Sequence, residues 1–321
     1  MIRFGIVGAG GIAQKFARDI KLSEGAIATA VASRNIERAH EFKDAHDIEY
    51  AFGSYEEMAK SDLIDAVYIA TPHSFHMEQS ILFMNHKKHV LCEKPIAVSV
   101  PQFEKMVASA KENNVLLMEA MWTRFLPATK KVREVVQSKK LGKLKHAYLE
   151  FGLEVMNRGD DGGRLLNANL AGGSLLDMGV YPVAFTLNIT NQPIKSIEAN
   201  AKKYKTGIDT ECVVDVTFED DSTARLVSSF LEDRNTPGVI EFENGKMVIE
   251  NFWRSQKVFI DDKEFDFPYI GEGFPHEING FVESIEKGLL ENEIMTHDQT
   301  RKSMIILDKI RKVIELKYPF E

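Results

Sequence analysis

The first third of the chain alternates short apolar runs with longer stretches of helical periodicity. The runs are "IRFGIVG", "AIATAVAS", "DAVYIAT", "HVLCEKP" and "VLLMEA". Between them the apolar positions recur at helical spacing; over 99–113, Val100, Phe103, Met106, Val107 and Ala110 share one face. Short apolar strands separated by amphipathic helices predict βαβ units and a parallel sheet covered on both faces. After about residue 120 the pattern changes. One more helix is predicted at 127–138, ending near Leu141-Gly142, and then the period drops to two. The alternating stretches are "KLKHAYLEFGLEV", "IKSIEANAKKY", "ECVVDVTFED", "TARLVSSFLE", "GVIEFEN", "KMVIE" and "KVFID". Turn signals at Asp220-Asp221-Ser222 and Glu243-Asn244-Gly245-Lys246 separate pairs of them, as antiparallel hairpins require. Two helices, at about 276–290 and 298–316, close the chain.

The predicted class is α/β: a doubly wound parallel sheet of the Rossmann type over 1–120, then an α+β domain with an open, mostly antiparallel sheet over 121–321. In the second sheet Val213, Val214, Val216 and Phe218 put apolar residues on both faces. That suits helices on one side and a second copy of the chain on the other, so a homodimer through this sheet is expected.

Composition narrows the class without changing the architecture. A net charge of −8 argues against nucleic acid or an anionic membrane as the main partner. No apolar run reads as long enough to span a bilayer. The opening "MIRFGIVGAGG" enters strand-like sequence at once, with neither a signal h-region nor a small-residue cleavage site. Cys92 and Cys212 lie far apart and lack CxxC spacing, so they read as reduced core thiols and the expected setting is the cytoplasm.

Candidate chemistry begins at the first strand. It runs into Gly8-x-Gly10-Gly11-Ile12-Ala13 and then a helix, the G-x-G-x-x-A form of the dinucleotide fingerprint. Gly8 permits the tight turn, Gly10 lets the backbone approach a pyrophosphate, and Ala13 leaves room for helix against strand. The anion would rest on the helix N-terminus around Gly11 and Ile12. The second strand ends "AVASRNIER", where an NAD site usually carries an acidic residue for the ribose 2′-OH. Ser33, Arg34 and Arg38 stand there instead, a hydroxyl and two guanidiniums that suit a 2′-phosphate, so NADP is preferred over NAD.

In an open α/β sheet, ligands bind beyond the carboxyl ends of the strands. "YIATPHSFH" (68–76) places Thr71, Pro72 and His76 there, and "LCEKPIA" places Glu93 and Lys94 there. Pro95 restricts Lys94 to extended backbone and holds it still. His73 and His76 have metal-ligand spacing, but no further cluster completes a site and no metal is expected. Trp122 walls the nicotinamide or a sugar ring, or else fills core; Arg124 meets a phosphate or a substrate hydroxyl. Farther on, Gly172-Gly173-Ser174 reads as a helix start with Ser174 as N-cap. Asp177 then either completes a capping box or faces substrate together with Tyr181, one turn on. The glycine-rich loop 156–173 is long enough to act as a lid.

The Gly8–Ala13 turn, Ala70-Thr71-Pro72 with His76, the Glu93-Lys94-Pro95 triplet and "GGSLLDMGVYP" at 172–182 together resemble the glucose–fructose oxidoreductase/inositol dehydrogenase family of the Gfo/Idh/MocA type. "LLMEAMWTRFLP" (116–127) and Tyr181 are similar to its branch of dimeric dihydrodiol dehydrogenases and NADP-dependent xylose dehydrogenases. The resemblance runs along essentially the whole chain. It implies that Tyr181, standing where many members carry histidine, is the acid/base, that Lys94 assists it, and that Asp177 belongs to the same site. A free phenol titrates near ~10, and a neighbouring ammonium lowers that value toward neutrality. Arg164 stands where related sequences carry arginine, whereas Ala168 and Asn169 replace a frequent proline and glutamate. The implied function is hydride transfer between a nicotinamide and a CH–OH or C=O group of a sugar, polyol or cyclic diol. The alternatives are a non-catalytic NADP-binding regulator of the same fold and a redox-neutral sugar oxidoreductase that retains its cofactor.

Overall fold

A computed structural model of the chain describes residues 1–157, 163–234 and 237–321. In chain order the first elements are β1 (Ile2–Val7), α1 (Gly11–Asp19), β2 (Ala26–Ala32), α2 (Ile36–His46), β3 (Tyr50–Phe52) and α3 (Tyr55–Lys60). They continue with β4 (Ala66–Ile69), α4 (His76–Asn85), β5 (His89–Glu93), α5 (Val100–Asn113), β6 (Leu117–Ala120), α6 (Pro127–Gln137), β7 (Leu144–Gly152) and α7 (Val180–Ile189). The remainder are β8 (Ile194–Lys203), β9 (Asp209–Phe218), β10 (Thr223–Ser229), β11 (Gly238–Phe242), β12 (Gly245–Ile249), β13 (Lys257–Ile260), β14 (Lys263–Asp266), α8 (Phe274–Glu286) and α9 (His297–Val313).

Contacts divide the chain into two compact units, Met1–Phe125 with Tyr269–Thr300, and Leu126–Pro268 with Arg301–Glu321. The first unit therefore takes a segment that a single division after residue 120 assigns to the second. The cause is the apolar face of α8. Phe274, Ile278, Phe281 and Val282 are buried there, and the Phe281 ring lies 5.6 Å from that of Phe4 in β1. Removing that face from water is worth roughly 2 kcal/mol per large side chain, enough to draw a late helix onto an early sheet.

The first unit is a parallel sheet of order β3-β2-β1-β4-β5-β6. Strand order reverses at β1, between β2 and β4, which opens a crevice at the carboxyl ends of the central strands. The three-residue edge strand β3 escapes a reading of apolar runs, because all its residues are half-exposed.

The second unit has an eight-stranded sheet of order β14-β13-β12-β11-β7-β10-β9-β8, antiparallel apart from the β7–β10 pair. Helix α7 packs on β7 and β10. The stretch 168–189 differs from the expectation that no run suffices to span a bilayer: by length and composition it does, with a mean hydropathy of 1.3. In the fold 89% of that window is buried, as befits a core segment that is apolar all round.

Candidate active site

The glycine turn sits where the crevice opens. Gly8 has φ +100°, a conformation L residues avoid, and its N–H donates to Ala32 O at 2.9 Å. Gly10 is the N-cap of α1 and brings no side-chain cap, and the first turn carries no acidic residue. A Cβ built at Gly10 or Gly11 would meet nothing within 4 Å, whereas Ala13 is fully buried against the sheet. Uncapped N–H groups facing open space, with no carboxylate to repel an anion, fit the pyrophosphate of a dinucleotide. Ile12 is half-exposed beside them.

At the end of β2, Ser33 is nearly buried and its hydroxyl accepts the Asn35 N–H at 3.3 Å. Arg34 and Arg38 are both exposed, and the Arg34 guanidinium lies over the Phe75 ring at 5.3 Å. Among the described residues no carboxylate pairs with either arginine, which suits a phosphate ligand.

Beyond β4 and β5 the structure ties together segments that the sequence left apart. Thr71 and Pro72 are half-exposed at the crevice. His76 does not face a ligand there. It is fully buried, with Nδ1 at 2.9 Å from Pro95 O and Nε2 at 2.8 Å from Thr71 O, so it joins the two cleft loops instead. Lys94 is half-exposed at the end of β5 and its peptide bond to Pro95 is cis. Glu93 is buried. It accepts a short hydrogen bond from the hydroxyl of Tyr68, whose ring stacks on Phe16 at 3.8 Å, and another from the Lys94 N–H at 3.2 Å. Two donors on its two oxygens define a carboxylate held in place.

Two expected contacts fall inward. Arg124 is only 7% exposed and its Nε donates to Ile294 O at 2.8 Å, holding the chain after α8 rather than reaching for a phosphate. Trp122 stacks on Phe274 with centroids 5.3 Å apart, which is the core alternative for that ring.

In the second unit the helix start departs from a capping box. Residues Leu175–Gly179 form a π-turn that runs into α7. Pro182 lacks the N–H that a regular α-turn would use here, which favours the wider turn. Ser174 has helical backbone and caps nothing; its hydroxyl donates to Asp209 Oδ2 at 2.7 Å, and Leu175 N–H donates to the same oxygen at 2.7 Å. Asp209, at the start of β9, thus takes the capping role from a distance of 34 residues, which no local pattern discloses. Burial pushes the Asp209 carboxyl above its usual range, opposed by these donors.

Freed from capping, Asp177 pairs with Arg164, Nη1 to Oδ1 3.0 Å, and is 8% exposed. Tyr181, also 8% exposed, meets Phe151 edge-on at 5.5 Å, and Trp253 stacks on Phe151 at 4.3 Å. Sequence reading missed this aromatic wall, because Phe151 and Trp253 come from separate stretches. Part of the expected lid, residues 158–162, lies outside the described residues. Among the described residues no group of three or more His, Cys, Asp or Glu could hold a metal ion.

An α/β sheet with a glycine turn at its switch point, joined to a domain bearing a buried Asp and Tyr pair, is the architecture of a dinucleotide-dependent oxidoreductase. The sequence matches the oxidoreductase family with an NAD-binding Rossmann fold over residues 2–121 and the GFO/IDH/MocA C-terminal domain over 129–249. The chain belongs to the Gfo/Idh/MocA family of oxidoreductases, as the motifs indicated. It is 36% identical to a scyllo-inositol 2-dehydrogenase (NADP(+)) of Bacillus subtilis, over 99% of each chain. To the trans-1,2-dihydrobenzene-1,2-diol dehydrogenase of Sus scrofa it is 33% identical, over 99% of this chain and 98% of that one. Its fold is shared by a 3-ketoreductase from Actinomadura kijaniata in complex with NADP and TDP-benzene, with TM-score 0.86, 24% identity and 98% of each chain covered. An aldose-aldose oxidoreductase from Caulobacter crescentus shares it at TM-score 0.87 and 21% identity, over 98% of this chain and 97% of that one.

Proposed function

We propose that the protein is an NADP-dependent dehydrogenase acting on a CH–OH group of a cyclic polyol, sugar or cyclic diol. The observation that carries this reading is the first sheet: one set of strand ends bears the Gly8–Ala13 anion cradle, exposed Arg34 and Arg38, and Lys94. The relatives named for NADP(+), inositol and dihydrodiol support the cofactor and the substrate class.

Bound NADP⁺ supplies the hydride acceptor, and the protein's own groups handle binding and the proton. Gly10, Gly11 and Ile12 would receive the pyrophosphate through main-chain N–H groups. Ser33, Arg34 and Arg38 would receive the 2′-phosphate. Thr71 and Pro72 would line the cleft beside the nicotinamide, and Glu93 would hold the Lys94 main chain there. As the substrate C–H leaves with its electron pair, the hydroxyl proton passes to Tyr181 Oη and the C–O bond becomes C=O. By the family resemblance, Lys94 would hydrogen-bond that oxygen while its charge changes. Asp177, oriented by Arg164, accepts a hydrogen bond from a neighbouring substrate hydroxyl. In the reverse direction Tyr181 donates the proton to the carbonyl oxygen.

The test is absorbance of reduced nicotinamide with NADP⁺ or NAD⁺ against inositols, aldoses and trans-diols. Turnover with NADP⁺ preferred supports the reading, and a preference for NAD⁺ overturns the assignment of Arg34. Arg34→Ala is expected to raise the KM for NADP⁺ by roughly 30-fold, the loss of one charge-assisted contact, and to leave that for NAD⁺ nearly unchanged.

The expected homodimer and cytoplasmic setting belong to the same proposal. One register row across the second sheet joins Asp215, Arg225, Tyr148, Val239, Val248 and Phe259, apolar toward β13 and ion-paired at its other end. A half-apolar sheet face of this kind suits self-association. Val248→Arg should convert a dimer into a monomer in sedimentation; a wild type that sediments as a monomer overturns this part.

A further inference from the structure

Among the carboxyl groups buried in the first unit, Glu119 and Glu277 each feel the charge of Glu93, and the three glutamates are not equivalent. Glu93 has two donors. Glu277 of α8 is fully buried and neither of its oxygens has a hydrogen-bond partner. Glu119 of β6 is 2% exposed and stands between these extremes. Its Oε1 accepts the Ile96 N–H at 3.1 Å and its Oε2 accepts the Thr300 hydroxyl at 3.1 Å. Ile96 is two residues beyond Lys94, and the intervening Pro95 carbonyl is the one that meets His76. The lysine-bearing loop is thus gripped on one side by His76 and on the other by Glu119. We propose that Glu119 is a positioning residue for Lys94: its carboxylate anchors the loop at Ile96 and supplies a buried negative charge near the lysine. This rests on the dehydrogenase reading of the site.

Several carboxylates cannot all ionise in a poorly solvated cluster with one ammonium. Burial raises Glu277 well above its ordinary value, and Glu93 raises it further. Burial also pushes Glu119 up to about 7, with Glu93 adding to the rise and Ile96, Thr300 and Lys94 opposing it. The titratable groups around Glu119 are Glu93 and Lys94 at the end of β5, Cys92 beside it in register, and His297 of α9. The Cys92 thiol is pushed well up by burial, and His297 Nε2 lies 3.0 Å from Leu117 O. On protonation a hydrogen at Oε2 can be received by the Thr300 hydroxyl, which turns from donor to acceptor. The Ile96 contact survives that change and the charge beside Lys94 does not. The loop therefore stays placed while the lysine loses its counter-charge.

Two variants separate these parts. Glu119→Gln keeps an acceptor for Ile96 N–H and removes the charge. It should abolish the Glu119 limb of the wild-type rise in kcat between about pH 6 and 8, holding kcat near the low-pH level, with the NADP⁺ Kd within about twofold. Glu119→Ala also releases the loop and should lower kcat by about 100-fold with the same Kd. A second readout needs no turnover. The folded-state value lies above the unfolded one of 4.5, so the wild type loses stability as pH rises from there through about 7. The Tm of Glu119→Gln relative to wild type should therefore climb over that interval. A Gln variant with the wild-type kcat profile and a constant Tm difference overturns the proposal, even if the Ala variant fails to fold. If wild type turns over no substrate yet the Tm difference climbs, the dehydrogenase reading has failed while the buried charge of Glu119 stands.

Discussion

Lys94→Ala is expected to lower kcat by about 10³-fold, and Tyr181→Phe by 10²–10⁴-fold, with little change in NADP⁺ affinity. The two losses have different physical origins. In the proposed mechanism, removing the phenolic hydroxyl deletes the group that exchanges a proton with the substrate oxygen, while the ring keeps its contacts with Phe151 and Trp253. Removing the ammonium takes away the donor that would follow the substrate oxygen as its charge changes. Because Glu93 binds the Lys94 main chain through its N–H, the loop keeps its anchor in the alanine variant. Steady-state rates with stopped-flow cofactor binding would check this. If the variants act on one step, the double variant should be little slower than the worse single one. Full additivity would mean that the two groups serve separate steps.

Gly173→Ala is expected to cost roughly 3 kcal/mol or more of stability, read as a shift of the urea midpoint. Gly173 has φ +117°, and a Cβ there would lie 2.3 Å from Asp209 Oδ1. Neither side has room to yield. Asp209 is fully buried and held through its other oxygen by Ser174 and Leu175, and the glycine N–H is bound to Leu165 O at 2.9 Å. Any relief must displace the π-turn carrying Asp177, so surviving folded enzyme should also lose kcat. Gly207→Ala offers the control: its φ of +87° is also unfavourable, but a Cβ there meets nothing within 4 Å. A Gly173 variant no worse than this control would show that Asp209 is not a rigid anchor.

The parts of the site that were legible share one property, that their signal is local. Gly8, Gly10 and Ala13 lie within six residues, and their roles follow from backbone conformation and the N–H groups of one helix end. Lys94 announced itself as a charge at the end of an apolar strand followed by a proline. The absence of an acidic residue after "AVAS" was likewise readable, since it concerns one position. What escaped depends on side chains far apart in sequence. Tyr68 on Glu93 spans 25 residues, Ser174 on Asp209 spans 35, and Thr300 on Glu119 spans 181. The S-x-x-D spacing at Ser174 is a fair capping signal, and a buried carboxylate with better geometry overrode it. His76 and Arg124 show the same limit in another form: a polar residue at a strand end reads alike whether it points out to a ligand or in to a backbone carbonyl.

By itself, then, the sequence determined the alternation of strands and helices, the glycine turn at the first strand and the class of cofactor, because periodicity, backbone restriction and charge act within a few residues. Tertiary structure alone decided that 269–300 joins the first unit, that Asp209 replaces Ser174 as the cap, and that Glu119 joins Glu93 in holding the lysine loop. Those outcomes turn on desolvation and on which donors surround a carboxyl, and only the folded chain brings the donors there.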